Sequence, residues 1–127
     1  MAAWARWRKR FADAGHGVAV AVATQPTLRV HLVATVVVLG AGAWLRVTPA
    51  EMAVLVLTCA VVIALEIMNT AIEVEVKAHT DRPADFARWA LDMGAGAVLA
   101  ASIGAVVVGV LILGPRLIDV LRGAGVL

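Results

Sequence analysis

The sequence contains little charge and almost no cysteine. Only 16% of its 127 residues are charged and 62% are hydrophobic, whereas an average soluble domain has about 25% charged residues. A chain this short cannot bury so much apolar surface in water, so a soluble domain is excluded. Polarity does not alternate along the apolar runs, which excludes a membrane β-barrel. The single cysteine, Cys59, cannot form an internal disulfide, and its apolar surroundings favour a role in packing.

Several functional patterns are also missing. The three histidines lie at positions 16, 31 and 79, and no pair has the spacing of metal ligands. No extended basic face with interleaved aromatic residues is present, so nucleic-acid binding is not expected. A signal peptide is not expected either, because Asp13, His16 and several glycines interrupt the segment that would form its apolar core.

Short charged segments separate the apolar runs, as in a bundle of membrane helices. The opening segment MAAWARWRKRF is basic and aromatic, which is typical of a helix that lies on an anionic membrane surface. The sequence therefore predicts a single all-α membrane domain over residues 1–127, with an amphipathic surface helix and three transmembrane helices. The surface helix is expected at 1–24 and the transmembrane helices at 28–46, 50–78 and 93–115.

Local signals predict where these helices begin. Pro26 in TQPT suits the first turn of a helix. In RVTPAE, Thr48 can cap the next helix, with Pro49 at its first position and Glu51 near its amino end. The polar segment 79–92 is expected to form a connection with a short amphipathic helix after its proline. The tail after residue 115 is expected to contribute little.

The distribution of lysine and arginine predicts the orientation. With three spans, the N-terminal segment and the second connection lie on the same side, and together they hold eight of these residues, whereas the other side holds three. Basic residues accumulate in cytoplasmic loops. The N-terminus and the polar end of the second span are therefore predicted to face the cytoplasm.

The stretch LEIMNTAIEVEVK places acids directly after an apolar run. Carboxylates in or near hydrocarbon are unfavourable and usually mark a functional site or an ion pair. On a helix that turns about 100° per residue, Glu66, Asn69 and Glu73 fall within an arc of about 60°. Lys77 lies on the same side, and Glu75 points the opposite way. The sequence therefore predicts a polar stripe on one face of the second span.

Part of this stripe has an ordinary structural explanation. Glu73 and Lys77 are four residues apart and can form an ion pair, and Asn69 can bond a neighbouring helix. Glu66 differs, because no basic residue lies one turn away. We therefore expect Glu66 to face a partner, a cavity or an ion.

The stripe is compatible with more than one chemistry. A carboxylate can take a proton from a hydroxyl as a general base, and another can bind Mg²⁺ together with nucleotide phosphates. Such a site at the membrane surface could join a phosphate donor to a lipid hydroxyl. The same groups could instead form a proton or cation path in a transporter, and the spacing alone leaves both open.

Three segments resemble the bacterial integral-membrane diacylglycerol kinase family, which includes undecaprenol kinases. ALEIMNTAIE at 64–73 resembles the family signature, LDMGAGAVLAASIGAVVVG at 91–109 resembles its third membrane helix, and TLRVHL at 27–32 is similar to the start of its first span. The resemblance implies a homotrimer in the bacterial inner membrane that transfers phosphate from MgATP to undecaprenol or diacylglycerol. It also implies active sites shared between subunits at the cytoplasmic interface.

The resemblance assigns roles to individual residues. By position, Glu66 resembles the catalytic base that takes the proton of the lipid hydroxyl, and Glu73 resembles a ligand of the Mg²⁺ that holds the ATP phosphates. Asn69 resembles a group that positions phosphate or substrate, and Asp92 an acid that orients its neighbours. The remaining assignments are Gln25 to the metal, and Gly17, Lys77 and Arg88 to the nucleotide.

The sequence departs from the family pattern at four positions. Gln25 replaces a Glu that binds metal, and Leu91 replaces a Lys that contacts phosphates, for which Arg88 is a candidate substitute. Lys77 replaces an Asp, and Ala19 replaces an Arg. An active lipid kinase is the favoured interpretation. The alternatives are a homologue with impaired catalysis that binds nucleotide or lipid, and an unrelated small transport subunit.

Overall fold

The computed structural model describes residues 2–79 and 84–126, and these form four α-helices. They are α1 Ala2–Thr24, α2 Pro26–Trp44, α3 Pro49–His79 and α4 Asp85–Gly123. Helices α2, α3 and α4 are each long and apolar enough to cross a membrane. The prediction of an all-α protein with three such helices is confirmed. Pro83, the proline predicted to precede a short helix, lies outside the described residues.

Helix α1 lies largely outside the bundle. Residues 3–20 are exposed, and Ala21 near the carboxyl end is buried where α1 meets α2 and α3. The guanidinium of Arg10 lies 5.5 Å from the ring centroid of Trp7, and that ring lies 6.2 Å from Phe11. A helix is confirmed here, and its position on the membrane surface stays a prediction.

Two local breaks place α2 between its neighbours. Gln25 has an extended backbone and Pro26 opens α2, because a proline needs no hydrogen bond at the first helical position. At the other end Arg46 has a φ of 53°, and the Val47 amide donates to the carbonyl of Gly42. The chain reverses there within a few residues, so α2 and α3 are antiparallel neighbours.

A capping box starts α3. The backbone amide of Thr48 donates to the Glu51 carboxylate at 2.6 Å, and the amide of Glu51 donates to the Thr48 hydroxyl at 3.3 Å. These bonds satisfy two amides at the start of the helix. The predicted roles of Thr48, Pro49 and Glu51 are confirmed.

Helix α3 is central, and it packs against α4 and α2. Leu28 and Leu55 are fully buried, and Val62 and Val98 are nearly so. Most other large apolar side chains face outward, which suits a lipid environment because apolar surface there need not be hidden from the solvent. The 31 residues of α3 extend about 46 Å, more than a hydrocarbon layer of about 30 Å, so one end projects beyond it.

Helix α4 corrects two expectations. The short helix expected within 79–92 is not separate, because α4 runs continuously from Asp85 to Gly123. Pro115 lies inside this helix, and the tail beyond it contributes more than expected. Arg116 donates to the Arg46 carbonyl at 3.0 Å and to the Glu51 carboxylate at 2.7 Å. The end of α4 is thereby tied to the turn between α2 and α3.

Candidate active site

Glu66 lies in the interior of the bundle. The residue is only 5% exposed, and its Oε2 lies 4.0 Å from Nε2 of His31 on α2. A buried carboxylate is strongly disfavoured unless a polar group faces it. Glu66 therefore meets a partner from a neighbouring helix, as the lack of a basic residue one turn away along α3 predicted.

The polar stripe continues from Glu66 toward the end of α3. Asn69 Nδ2 donates to Glu73 Oε1 at 3.3 Å, and Lys77 Nζ donates to Glu73 Oε2 at 3.2 Å. Exposure rises along the stripe, since the side chain of Glu73 is 34% exposed and that of Lys77 is 73% exposed. The stripe thus leads from a buried carboxylate to an ion pair that water reaches.

The opposite face of α3 carries a second pair. His79 Nδ1 lies 3.6 Å from Glu75 Oε1, and both side chains are more than 70% exposed. This placement agrees with the predicted helical rotation, which separates Glu75 from the stripe. The pair is an ordinary exposed contact and supplies a natural control for the residues of the stripe.

An apolar groove is lined at one end by His31, the residue whose imidazole faces Glu66. Its volume is about 520 Å³, and helices α2, α3 and α4 all contribute to its walls. His31 lies at one end and Leu113 near the other, and the α4 residues from Ser102 to Leu113 extend about 16 Å. The other lining residues include Thr35, Leu55, Val62 and Gly109. The groove therefore connects the interior of the bundle with the imidazole that faces Glu66.

The structure places four of the eight residues assigned to the site along one face of α3. The side chains of Asn69 and Lys77 both donate hydrogen bonds to Glu73. Glu66 lies one turn before them, with His31 as its neighbour. The other four do not join this set. Their positions are Gly17 on the exposed part of α1, Gln25 between α1 and α2, and Arg88 and Asp92 on exposed positions of α4.

Within residues 2–79 and 84–126, the Asp92 side chain makes no hydrogen bond or ion pair, and the Gln25 side chain does not cap α2. A Cβ built on Gly17 would meet nothing within 4 Å. Gly17 and the side chains of Gln25 and Asp92 therefore have room for further contacts within the described part of the chain.

Sequence reasoning gave His31 no role, although a signal was present. A polar residue inside a span needs a polar partner, and Glu66 was the acid without one. Two such residues on separate spans are natural partners. Packing decides which faces of α2 and α3 meet. The sequence therefore allows a pairing of His31 with Glu66 but does not distinguish it from other pairings.

A family model for prokaryotic diacylglycerol kinases matches residues 12–113. The chain belongs to this family. The match includes all three long helices apart from the carboxyl end of α4, and it contains every residue of the stripe. The resemblance read from the sequence is therefore confirmed.

Two named relatives agree with this membership. A diacylglycerol kinase of a Synechocystis species is 39% identical over 112 residues, which are 87% of this chain and 64% of that protein. An undecaprenol kinase of Bacillus subtilis is 32% identical over 112 residues, which are 88% of this chain and 91% of that protein. The two relatives are named for different lipids.

The donor set is compatible with Mg²⁺ bound mainly through phosphates. Among the described residues, no group of three or more His, Cys, Asp or Glu could hold a metal ion. Mg²⁺ commonly uses only one or two carboxylates, completed by waters and substrate phosphates. Glu73, partly exposed and next to the Asn69 amide, fits that kind of ligand, whereas a site made only of protein groups is not formed.

Proposed function

We propose that this chain transfers a phosphoryl group from MgATP to the hydroxyl of a membrane lipid alcohol. The observation that supports this most directly is the position of Glu66, which is buried at the start of a polar stripe and faces His31, a residue that lines the apolar groove. A lipid tail suits the groove, and a charged nucleotide suits the exposed end of the stripe. The reacting groups would meet between them.

In this proposal Glu66 is the general base. As the hydroxyl oxygen bonds to the γ-phosphorus, Glu66 takes the hydroxyl proton and the bond to the β-phosphate oxygen breaks, releasing ADP. Proton transfer by a positioned base contributes roughly 10²–10⁴-fold to a rate. His31, whose Nε2 lies 4.0 Å from Glu66 Oε2, gives the carboxylate a polar neighbour in the apolar interior.

The stripe would hold the phosphate donor. Glu73 is the proposed metal ligand, and Asn69 fixes one of its oxygens through the bond from Nδ2. Mg²⁺, when bound, would neutralise charge on the phosphates. Lys77, which pairs with the other oxygen of Glu73, would turn to the phosphates when the nucleotide binds.

The remaining assigned residues would act in an assembly. We infer a homotrimer in the bacterial inner membrane, with the N-terminus in the cytoplasm and sites shared between subunits. Gly17 on α1 and Arg88 and Asp92 on α4 are exposed, and Gln25 lies between α1 and α2, which is compatible with a site completed by a second copy. Their roles in nucleotide or metal binding are part of the proposal.

One observation favours a second function. At Gln25 an uncharged amide stands where the family pattern has a metal-binding Glu, and among the described residues no group of three or more His, Cys, Asp or Glu could hold a metal ion. A weaker metal site would leave a protein that binds nucleotide or lipid with impaired catalysis. Turnover separates this alternative from an active kinase.

The test is phosphate transfer from labelled ATP by the purified protein in bilayers with Mg²⁺. Undecaprenol and diacylglycerol are offered separately, and Glu66→Gln is the matched variant because it keeps the size of the side chain. We expect transfer to at least one lipid, reduced at least 10²-fold in the variant. No transfer to either lipid, from protein that binds Mg²⁺ and ATP, would sink the kinase proposal for these substrates and favour the second function.

A further inference from the structure

Gly94 on α4 faces the amide of Asn69. A Cβ built on Gly94 would lie 2.5 Å from Asn69 Oδ1 and 3.5 Å from its Cγ. At Gly96, two residues further along the same helix, a built Cβ would meet nothing within 4 Å. Small residues commonly let membrane helices approach closely. At Gly94 the space that a side chain would fill is occupied by Asn69 Oδ1.

The same oxygen has no hydrogen-bond partner. Within the described part of the chain, Asn69 Oδ1 is buried and accepts no hydrogen bond, while Nδ2 donates to Glu73. The opposite orientation of the amide would place its oxygen against a carboxylate oxygen, which offers no donor. The nitrogen must therefore face Glu73, and the oxygen must occupy the space beside Gly94.

We propose that Gly94 is a positioning residue for the phosphate-donor end of the site. The missing side chain at position 94 leaves room for Asn69 Oδ1, and this keeps Nδ2 on Glu73. The inference rests on the proposed function, because Gly94 would act through Asn69 on Glu73, the proposed metal ligand.

A methyl group at position 94 should disturb the amide and not the fold. The nearest atom is the end of a side chain that can rotate, so Asn69 can move away while both helices keep their places. Rotation takes Nδ2 off Glu73 and frees the carboxylate to turn. The hydrogen bond from Asn69 to the charged Glu73 carboxylate is then lost. We expect Mg²⁺ to bind about tenfold more weakly at Glu73 as a result.

The sequence provides a direct spectroscopic probe. Asn69 is the only asparagine, so protein labelled with [¹⁵N]asparagine contains a single labelled side-chain amide. Its NMR signals report the orientation and bonding of that amide without any need for activity. We expect Gly94→Ala to shift this pair of signals and Gly96→Ala to leave it in place.

The functional experiment compares Gly94→Ala and Gly96→Ala in bilayers. Equilibrium binding of a fluorescent ATP analogue is titrated with Mg²⁺, and the KM for the lipid alcohol and the Tm are measured on the same samples. Gly94→Ala should raise the Mg²⁺ concentration needed for nucleotide binding about tenfold. Its lipid KM and Tm should stay close to those of the unaltered protein, as should every value for Gly96→Ala.

A double variant tests whether the effect passes through Asn69. Asn69→Ser shortens the side chain, so a methyl group at position 94 then has nothing to displace. Adding Gly94→Ala to Asn69→Ser should cause no further change in Mg²⁺ dependence, which is the mark of two coupled residues. In the double variant the methyl group at position 94 no longer meets the Asn69 side chain. The comparison therefore remains decisive if Gly94→Ala alone folds poorly.

Three results would overturn the inference. They are unchanged amide signals and binding in Gly94→Ala, equal effects of the two glycine variants, and additive effects of Gly94→Ala and Asn69→Ser. Failure of the unaltered protein to bind nucleotide with Mg²⁺ would instead overturn the proposed function, and with it the role of Gly94 in that function. The NMR signals would show in that case whether Gly94 still orients the amide.

Discussion

Arg116 Nη2 lies 2.7 Å from Glu51 Oε2, and this contact joins residues that are 65 positions apart in the sequence. The same carboxylate accepts from the Thr48 amide, and Nη1 of Arg116 donates to the Arg46 carbonyl. One guanidinium thus connects the end of α4 to both the turn and the cap that begins α3. Each side chain of the ion pair is 32% exposed.

Replacing Arg116 should loosen this end of the bundle. Arg116→Met removes both bonds, which are stronger than neutral ones because a charged group takes part. We expect the Tm of the purified protein to fall by a few degrees. Arg122→Met is the control, because Arg122 is an exposed residue of the same helix. Equal Tm values for the two variants would show that the contact does not stabilise the fold.

Replacing His31 should slow the proposed reaction. His31→Leu replaces the imidazole by an apolar side chain of similar bulk and removes the polar neighbour of Glu66, and an unsatisfied buried polar group is unfavourable by about 1–3 kcal/mol. We expect phosphate transfer to fall at least about tenfold. Thr35→Val is the control, since it changes a groove residue whose hydroxyl bonds only the His31 carbonyl. A His31→Leu protein with full activity would contradict the role given to this pair.

Filling the groove should weaken lipid binding selectively. Gly109 lines the groove, and a Cβ built there meets nothing within 4 Å, so Gly109→Leu places a side chain in the space proposed for the lipid tail. A side chain added to a space that is already filled commonly destabilises the packing there by about 1–3 kcal/mol. The added leucine should therefore weaken binding of the lipid tail and raise the lipid KM roughly tenfold. The KM for ATP should not change.

The control is Gly104→Leu, which adds the same side chain to an exposed position of α4 outside the groove. Its lipid KM should match that of the unaltered protein. If both variants raise the lipid KM equally, the tail does not lie in this groove.

Replacing Lys77 should affect nucleotide binding and leave stability unchanged. The pair that Lys77 forms with Glu73 is exposed on the lysine side, and such pairs contribute only about 0–1 kcal/mol. Lys77→Gln should therefore keep its Tm while the KM for ATP rises several-fold. His79→Gln alters the exposed pair on the opposite face and should change neither value. An unaltered KM for ATP in Lys77→Gln would limit Lys77 to neutralising Glu73.

The predicted orientation can be checked with single cysteines. In a Cys59→Ala background, Ala50→Cys and Ala78→Cys place exposed thiols at the two ends of α3. A reagent that cannot cross membranes should label Ala50→Cys in intact cells and Ala78→Cys only after the cells are opened. The reverse pattern would invert the orientation derived from the basic residues.

Local chemistry explains why the helix starts were predictable. Proline at a first helical turn and the capping box at Thr48 and Glu51 depend on residues a few positions apart, so the sequence displays them directly. The extent of α4 was not predictable in the same way. Its hydropathy changes at Asp92, but no proline follows Asp85 until Pro115. Hydropathy reports the environment of a segment and not its backbone conformation.

Contacts between helices were predictable only in part. The rotation of α3 predicted that Glu66, Asn69 and Glu73 share a face and that Glu75 does not. The partner of Glu66, the space beside Gly94 and the bond from Arg116 depend on which helix faces meet. That choice is made by packing over the whole bundle, so no local pattern in the sequence determines it.

The burial of Glu66 also bears on a competing reaction. Water is a nucleophile present at far higher concentration than any lipid, and a kinase with an open base would hydrolyse ATP without a substrate. Glu66, the proposed base, is buried and faces His31, which lines an apolar groove, and a hydroxyl attached to a hydrocarbon tail enters such a groove far more readily than water. For the proposed reaction, discrimination between lipid and water would therefore result from the solubility of the acceptor and not from recognition of its head group.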